Sequence, residues 1–305
     1  MAIPTSRTRE AATITIDTEV CRGCGQCVEV CKDFGLILKN GKACASEAPL
    51  FGCIACGHCM AVCPAGAIKI MGRTLSPGDL FELPDTPSSA SWESLVSLLK
   101  QRRSIREFQD FPVEKQVIEK VLEAAVTAPM GLPPSDVNVL VLGSRASVRK
   151  FTEDFCAHLE KIEWFFSGFT IALMRPLLGR TNTDLLRDFA RPLIEKYTDG
   201  MKKGVNLVTY DAPAALYFYG SPYCDPADPV VAATYAMLAA ESLGLGTCML
   251  GAIHPLIQSG RSAEKFRRAH GIKYKSREGL FVIMGYPKVS YSRGIRRTFA
   301  SVTTN

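Results

Sequence analysis

Eight of the twelve cysteines in this 305-residue chain fall into two runs of identical spacing. The first is Cys21-x2-Cys24-x2-Cys27-x3-Cys31, and the second is Cys53-x2-Cys56-x2-Cys59-x3-Cys63, followed by Pro64. Two triplets, each with a trailing cysteine, form the ligand pattern of two [4Fe–4S] clusters. Three thiolates separated by two residues each wrap one cuboidal cluster from a tight, glycine-containing loop. The fourth, three residues on, opens a helix, points away and ligates the other cluster. This assigns Cys21, Cys24, Cys27 and Cys63 to one cluster, and Cys53, Cys56, Cys59 and Cys31 to the other. A zinc site would call for separated pairs, and a disulfide framework for a secreted chain, which this does not resemble. Lys32 stands after Cys31 where proline follows Cys63, a departure that removes a stiff turn residue but no ligand.

Short alternating segments bracket the two runs. Ile14-Thr15-Ile16 precedes the first and Ile68-Lys69-Ile70 follows the second, so residues 12–72 read as a pseudo-repeat whose end strands pair. Cys44, between the runs, reads as a small packed residue because both quartets are already filled. Residues 1–75 are assigned to this cluster-binding domain. The stretch 73–91 is rich in Pro, Ser, Gly and Asp without periodicity, and 76–91 is taken as a linker. A second domain spans 92–305. Its first helix carries Leu95, Val96, Leu98 and Leu99 at helical spacing, and a second helix is expected over 114–127. Strands are expected at 137–142, 214–219, 247–253 and 280–286, and helices at 146–160 and 182–203. A further helix starts at Asp228-Pro229, with Asp as N-cap and Pro at the first helical position, and ends near Gly244. The irregular alternation points to an α+β fold or a mixed sheet.

Hydrophobic residues make up 47% and charged residues 22%, as in an ordinary globular protein. The formal charge of +6 counts cysteines as thiols. Two clusters, each about −2 with its thiolates, bring the balance to roughly +2. With no dense Lys/Arg run, there is no case for nucleic acid. The N-terminal segment MAIPTSRTREAATITI lacks the apolar core of a signal peptide. The run Trp164–Leu178 contains Arg175 and Pro176 and is too short for a span of about 20 residues. A soluble, cytoplasmic protein with no membrane partner is expected, in a reducing compartment where thiolates survive.

The second domain has no Walker sequence, no G-x-G-x-x-G fingerprint and no nucleophile elbow. Beyond His58 only His158, His254 and His270 remain, too few to build a histidine-based site. What stands out is Gln101-Arg102-Arg103-Ser104-Ile105-Arg106-Glu107-Phe108 at the end of the first helix. Arginines and a hydroxyl there can grip a phosphate through bidentate hydrogen bonds. They also suit a helix C-terminus that carries positive charge against its dipole.

RRSIREF, a helix ending in Ala128-Pro129, the run Leu243-Gly244-Leu245-Gly246-Thr247-Cys248-Met249-Leu250-Gly251 after the Asp228 helix, then Gly285-Tyr286-Pro287 and an Arg-rich end resemble the FMN-dependent nitroreductase family over about residues 92–300. The first 75 residues resemble bacterial 2[4Fe–4S] ferredoxins, and the whole chain resembles ferredoxin–nitroreductase fusions. The resemblance implies a small ferredoxin-like domain followed by an α+β domain, whose central, mostly antiparallel sheet is flanked by helices. It implies FMN at a homodimer interface. Arg102, Arg103 and Ser104 would meet its phosphate and ribityl chain, the backbone of Leu250 and Gly251 would lie against the ring, and Arg297 or Arg293 would complete the phosphate site. Many relatives carry a polar Ser-x-Asn-x-Gln-Pro stretch after the Ala-Pro. Here the chain reads Met130-Gly131-Leu132-Pro133-Pro134-Ser135-Asp136, which leaves only backbone groups and Ser135 for such contacts. The long aromatic insertion 145–210, with Trp164, Phe165, Phe166 and Phe169, is expected to act as a lid or as dimer padding.

The implied function is an oxidoreductase without a catalytic acid/base side chain. Electrons from a low-potential redox protein, or from NAD(P)H, would pass through two [4Fe–4S] clusters to FMN, which reduces a nitroaromatic, quinone or activated alkene. The alternative is an electron-transfer adaptor that serves a partner protein and has no small-molecule substrate of its own.

Overall fold

A computed structural model describes residues 9–85, 89–133 and 135–304. Residues 1–8 of the segment read for a signal peptide, residues 86–88 of the expected linker and Pro134 lie outside them. The N-terminal region runs β1 (Thr13–Ile16), α1 (Gln26–Val30), β2 (Leu36–Lys39), β3 (Lys42–Ala45), α2 (His58–Ala61) and β4 (Ile68–Met71). The flanking segments pair as expected: β1 and β4 are antiparallel, with Ile14 opposite Ile70 and Ile16 opposite Ile68. Each short helix opens on a glycine at the equivalent place in its run. Gly25 has φ 79° and Gly57 φ 76°, a left-handed conformation that glycine adopts at no steric cost. The core between these elements is small: Leu36, Met60, Ile68 and Ile70 among alanines and cysteines.

The larger body follows as α3 (Trp92–Gln101), α4 (Lys115–Ala125), β5 (Val137–Leu142), α5 (Arg145–Ile162), α6 (Gly168–Leu185), α7 (Arg191–Lys202), β6 (Ala214–Gly220), α8 (Ala227–Ser242), β7 (Gly246–Leu250), α9 (Ile253–Leu256), α10 (Arg261–Ala269) and β8 (Gly279–Gly285). Its sheet is antiparallel throughout, in the order β5-β6-β8-β7. The central strands β6 and β8 are buried along their whole length, which is why they read as unbroken apolar runs. Successive side chains point to opposite faces. Tyr217, Phe281 and Ile283 therefore pack with Phe151, Phe155 and Leu159 of α5 on one face. Leu216, Phe218, Val282 and Met284 pack on the other with Ile118 and Val121 of α4 and the alanines of α8.

Three boundaries depart from the sequence expectation. α8 starts at Ala227, so Asp228 lies in its first turn, and its carboxylate accepts the Gly131 N–H at 3.0 Å instead of capping its own helix. β7 stops at Leu250, and Ile253 opens α9. The run from Trp164 forms a 3-10 turn and then α6, interrupted at Gly179 (φ 74°) shortly after Pro176. The single helix expected over 182–203 is divided: residues 182–185 end α6, a π-helical turn, Leu186–Ala190, follows, and Arg191–Lys202 form α7. The interruption of α6 falls on a glycine, which adopts that positive φ at no steric cost. On α6, Phe169, Leu173 and Leu177 are exposed. Among the described residues no helix is long and apolar enough to cross a membrane.

Candidate functional site

The two cysteine quartets separate as the spacing assigns them. Cys21, Cys24, Cys27 and Cys63 line one small cavity, together with Gly23, Ala43 and Pro64. Cys31, Cys53, Cys56 and Cys59 line a second, of about 340 Å³. Backbone N–H groups point at the sulfurs of the first quartet: Ala43 donates to Cys21 Sγ at 3.5 Å, and Ala67 to Cys63 Sγ at 3.3 Å. The amides of Ala43 and Gly23 hold the Cys21 thiol below its ordinary pKa. Burial pushes Cys27 and Cys53 up, and Cys59 up to about 12. Thiols so raised stay protonated at neutral pH unless a cation in the cavity draws off the proton. Among the described residues, no group of three or more His, Cys, Asp or Glu is gathered as around one metal ion. Thiolates that hold a group of several irons need not converge on a single point; the cavity of the second quartet has room for such a group, and that of the first, about 20 Å³, is drawn tight around its four cysteines.

The cavity of the second quartet is shared with the body, whose segment Met130–Pro133 forms part of its wall. At that junction Arg73 is 6% exposed, and its Nη2 donates to the Pro133 carbonyl at 3.0 Å. The Asp33 carboxylate lines the same cavity and accepts the Phe51 N–H at 2.7 Å.

The arginine motif is assembled at the other end of the body. Arg102 terminates α3, and the next residues run beside β7, where Ser104 bridges Thr247 in parallel and Ile105 N–H donates to Thr247 O at 2.9 Å. Gly246 makes this approach possible, because a side chain there would meet Ile105 at 2.5 Å. Arg102 and Arg103 offset the upward push of burial on Glu241. Cys248 is raised by burial, with Arg106, Ser104 and Arg102 opposing. The Arg106 guanidinium stacks 5.7 Å above the Tyr210 ring. Thr247 is fully buried, and its Oγ1 has no hydrogen-bond partner among the described residues. Leu250 ends β7, the edge strand, Gly251 follows it, and a Cβ on Gly251 would meet nothing within 4 Å.

The structure therefore brings Arg102, Arg103 and Ser104 together beside β7. The C-terminal strand of chain reaches them at Gly294, where a Cβ would lie 2.8 Å from Arg103 Nη2. Its neighbours Arg293 and Arg297 are exposed. Cationic and hydroxyl side chains gathered there can hold a phosphate through charge-assisted hydrogen bonds. Sequence reasoning missed Thr247 as a polar group, since nothing in Gly246-Thr247-Cys248 marks its hydroxyl as unpartnered. It missed Arg73 because that residue sat in a stretch of linker composition. The two sites are well apart within one chain: Gly131 meets α8 at Asp228, and the arginines meet it at Glu241. Thirteen residues of helix separate these points, about 20 Å at 1.5 Å per residue.

The model of the nitroreductase family matches residues 99–286, which leaves the cysteine runs outside the match. Among solved structures, a nitroreductase with bound FMN from Bacteroides fragilis NCTC 9343 shares the fold, with a TM-score of 0.52 and 16% identity over 69% of this chain and 97% of that one. A nitroreductase with bound FMN from Desulfitobacterium hafniense DCB-2 gives a TM-score of 0.49 and 19% identity, over 69% and 97% of the two chains. No curated protein matches the chain.

Proposed function

The chain belongs to the nitroreductase family across residues 99–286, and from that premise we propose that it is a flavin-dependent oxidoreductase wired to two iron–sulfur groups. The observation that carries the wiring is the crosswise partition of eight cysteines into two cavities, each walled by three members of one run and the trailing cysteine of the other. When bound, [4Fe–4S] clusters supply one-electron transfer, and FMN couples single electrons to two-electron reduction of an organic acceptor.

The residues divide the work. The eight thiolates ligate iron, and the N–H donors of Ala43 and Ala67 spread negative charge away from Cys21 and Cys63, which favours the reduced form. Arg102, Arg103 and Ser104 hold the flavin phosphate, with the buried Thr247 hydroxyl as a further donor and Arg293 or Arg297 closing over it. The backbone at Leu250–Gly251 presents an open face to the ring. No side chain is assigned as acid or base, and the acceptor takes its protons from water or from the substrate-side wall. Nitroaromatics, quinones and activated alkenes are the acceptor classes that suit a flat, open flavin face, and a low-potential redox protein or NAD(P)H is the donor.

A homodimer completes the reading. Ile295, Phe299 and Val302 of the C-terminal segment are exposed apolar groups that a second copy would cover. An antiparallel pairing of α8 with its counterpart would also set the Asp228 end of one chain beside the Glu241 end of the other. That shortens the separation found within a single chain.

The test is the iron, acid-labile sulfide and flavin content of anaerobically purified protein. About eight irons and one FMN per chain are expected. Eight irons without flavin, even after FMN is added, would overturn the flavoenzyme reading. Iron and flavin together with no turnover of any acceptor, whatever the donor, would replace it with the adaptor.

A further inference from the structure

Resting on the cluster reading above, we propose that Arg73 makes the two cysteine sites unequal. It clamps the body's Met130–Pro133 segment onto the second quartet and holds a fixed positive charge beside Cys53, so that the Cys31/Cys53/Cys56/Cys59 site is the inner one that passes electrons into the body.

Four observations converge on this residue. First, among the described residues only the second cavity has a wall from the body. The first is lined entirely by residues between Cys21 and Ile68, whereas the second includes Met130, Gly131, Leu132 and Pro133. Second, Arg73 is almost fully buried at this junction and donates through Nη2 to the Pro133 carbonyl. A guanidinium cannot shed its charge, so a buried one is retained where opposite charge compensates it. Asp136 acts on it in that sense, and Cys53 joins it once its thiol is a metal-bound thiolate. Third, the chain holds Arg73 close to Cys53. Ala12 N–H donates to Cys53 O at 2.8 Å, a Cβ on Gly72 would touch Ala12 Cα at 3.3 Å, and Arg73 comes next. Leu75 lies against Gly57 of the same cysteine loop.

Fourth, the backbone is strained to place it. Gly72 and Leu75 exchange both hydrogen bonds at 3.0 Å, closing a two-residue turn with Arg73 at φ 51° and Thr74 at φ 70°. A hairpin turn with positive φ at both central residues prefers Asn-Gly. Branched or long side chains there cost stability, and such outliers persist where the surroundings over-determine them. The position thus carries an arginine at a conformational cost, and the side chain ends between the second quartet and the body.

The electrostatic consequence follows from charge balance. Reduction of a [4Fe–4S] group adds one electron and no proton, so the site gains one unit of negative charge. A fixed cation beside Cys53 stabilises that reduced form and raises the potential of the second site alone. Asp33 opposes it and Lys32 adds to it from the lining of the same cavity, and Lys42 and Arg22 are the cations of the first site. Removing Arg73 therefore changes the second site and leaves the charges around the first as they were.

The experiment is a dithionite redox titration of the anaerobically purified full chain, followed by electron paramagnetic resonance, with iron and sulfide measured in every sample. Cys56→Ser marks the couple of the second quartet and Cys24→Ser that of the first. Arg73→Gln is expected to lower the second couple by about 59 mV, a tenfold smaller reduced-to-oxidised ratio at fixed potential, and to leave the first in place. Arg73→Lys, which keeps the charge, is expected to restore most of the shift. Amide exchange at Gly131, Leu132 and Asp136 should quicken in Arg73→Gln. If Arg73→Gln moves neither couple, or moves the one marked by Cys24→Ser, the inference is overturned and the cluster reading stands. Wild-type protein that retains no iron overturns both.

Discussion

The N-terminal region and the body hold their shapes by different means. Of the twelve largest fully buried side chains, ten belong to the body, among them Phe151, Phe155, Tyr217, Phe218 and Phe281, and only Leu36 and Ile70 to the N-terminal region. The body sandwiches an antiparallel sheet between two apolar layers. The N-terminal region packs two isoleucines, a leucine and a methionine among alanines, around two cavities walled by cysteine. About sixty residues bury too small a fraction of their surface to be secure without a staple. Where the apolar core is thin, the residues that carry chemistry must also carry the fold.

The harshest way to break this comparison is to strip the iron. With the proposed clusters bound, oxidation and chelation should abolish the slow-exchanging amides of residues 12–72, because ligand binding there would double as folding energy. The body should keep its own. Amide exchange read by mass spectrometry checks both halves at once. Slow exchange retained across 12–72 in stripped protein would mean that the small core suffices, and the contrast would fall.

The converse substitution acts on the body. Phe281 lies 4.9 Å from Phe151 and 6.0 Å from Tyr217, ring centre to ring centre, and is wholly buried. Phe281→Ala should cost about 3–5 kcal/mol of the body's stability in chemical denaturation. Cluster content should be unchanged if the two regions fold on separate terms.

The two regions also differ in how plainly the sequence announces them. The cysteine spacing named the eight residues that line the two cavities, and it carries the cluster proposal because ligation to a shared inorganic group would leave little freedom of position. The end strands Ile14–Ile16 and Ile68–Ile70 were equally plain from their alternation. In the body, β6 and β8 were legible as apolar runs to within a residue at each end, since burial on both faces leaves no polar position to blur them. α6 was not legible. Its exposed Phe169, Leu173 and Leu177, with Pro176 and Gly179 inside it, give no amphipathic pattern to read. Asp228 was placed as a cap by local rules, but a tertiary partner, the Gly131 amide, takes its carboxylate. Arg73 and Thr247 owe their interest to neighbours distant in sequence, which composition and spacing do not encode.

A sharper contrast comes from the arginines. Arg102→Ala should weaken flavin binding about ten- to a hundredfold, the equivalent of losing one or two charge-assisted hydrogen bonds, and leave the iron content intact. Flavin fluorescence titration measures the first, and iron assay the second. Loss of iron in this variant would show that the two regions are not independent.

The smallest effect tests the body's site from within. Thr247 is fully buried, and its carbonyl is already taken by the Ile105 N–H, yet its hydroxyl has no partner among the described residues. An unsatisfied buried hydroxyl costs about 1–3 kcal/mol, and an isosteric apolar side chain removes that cost. Thr247→Val should therefore make the flavin-free protein more stable by about 1 kcal/mol. If the hydroxyl meets the flavin, the same change should weaken flavin binding several-fold, the worth of one neutral hydrogen bond. The two signs together are the signature of a group kept polar for a ligand. A variant that gains stability with unchanged flavin affinity would place the flavin away from β7. A variant that loses stability without flavin would show that the hydroxyl already has a partner in the empty protein.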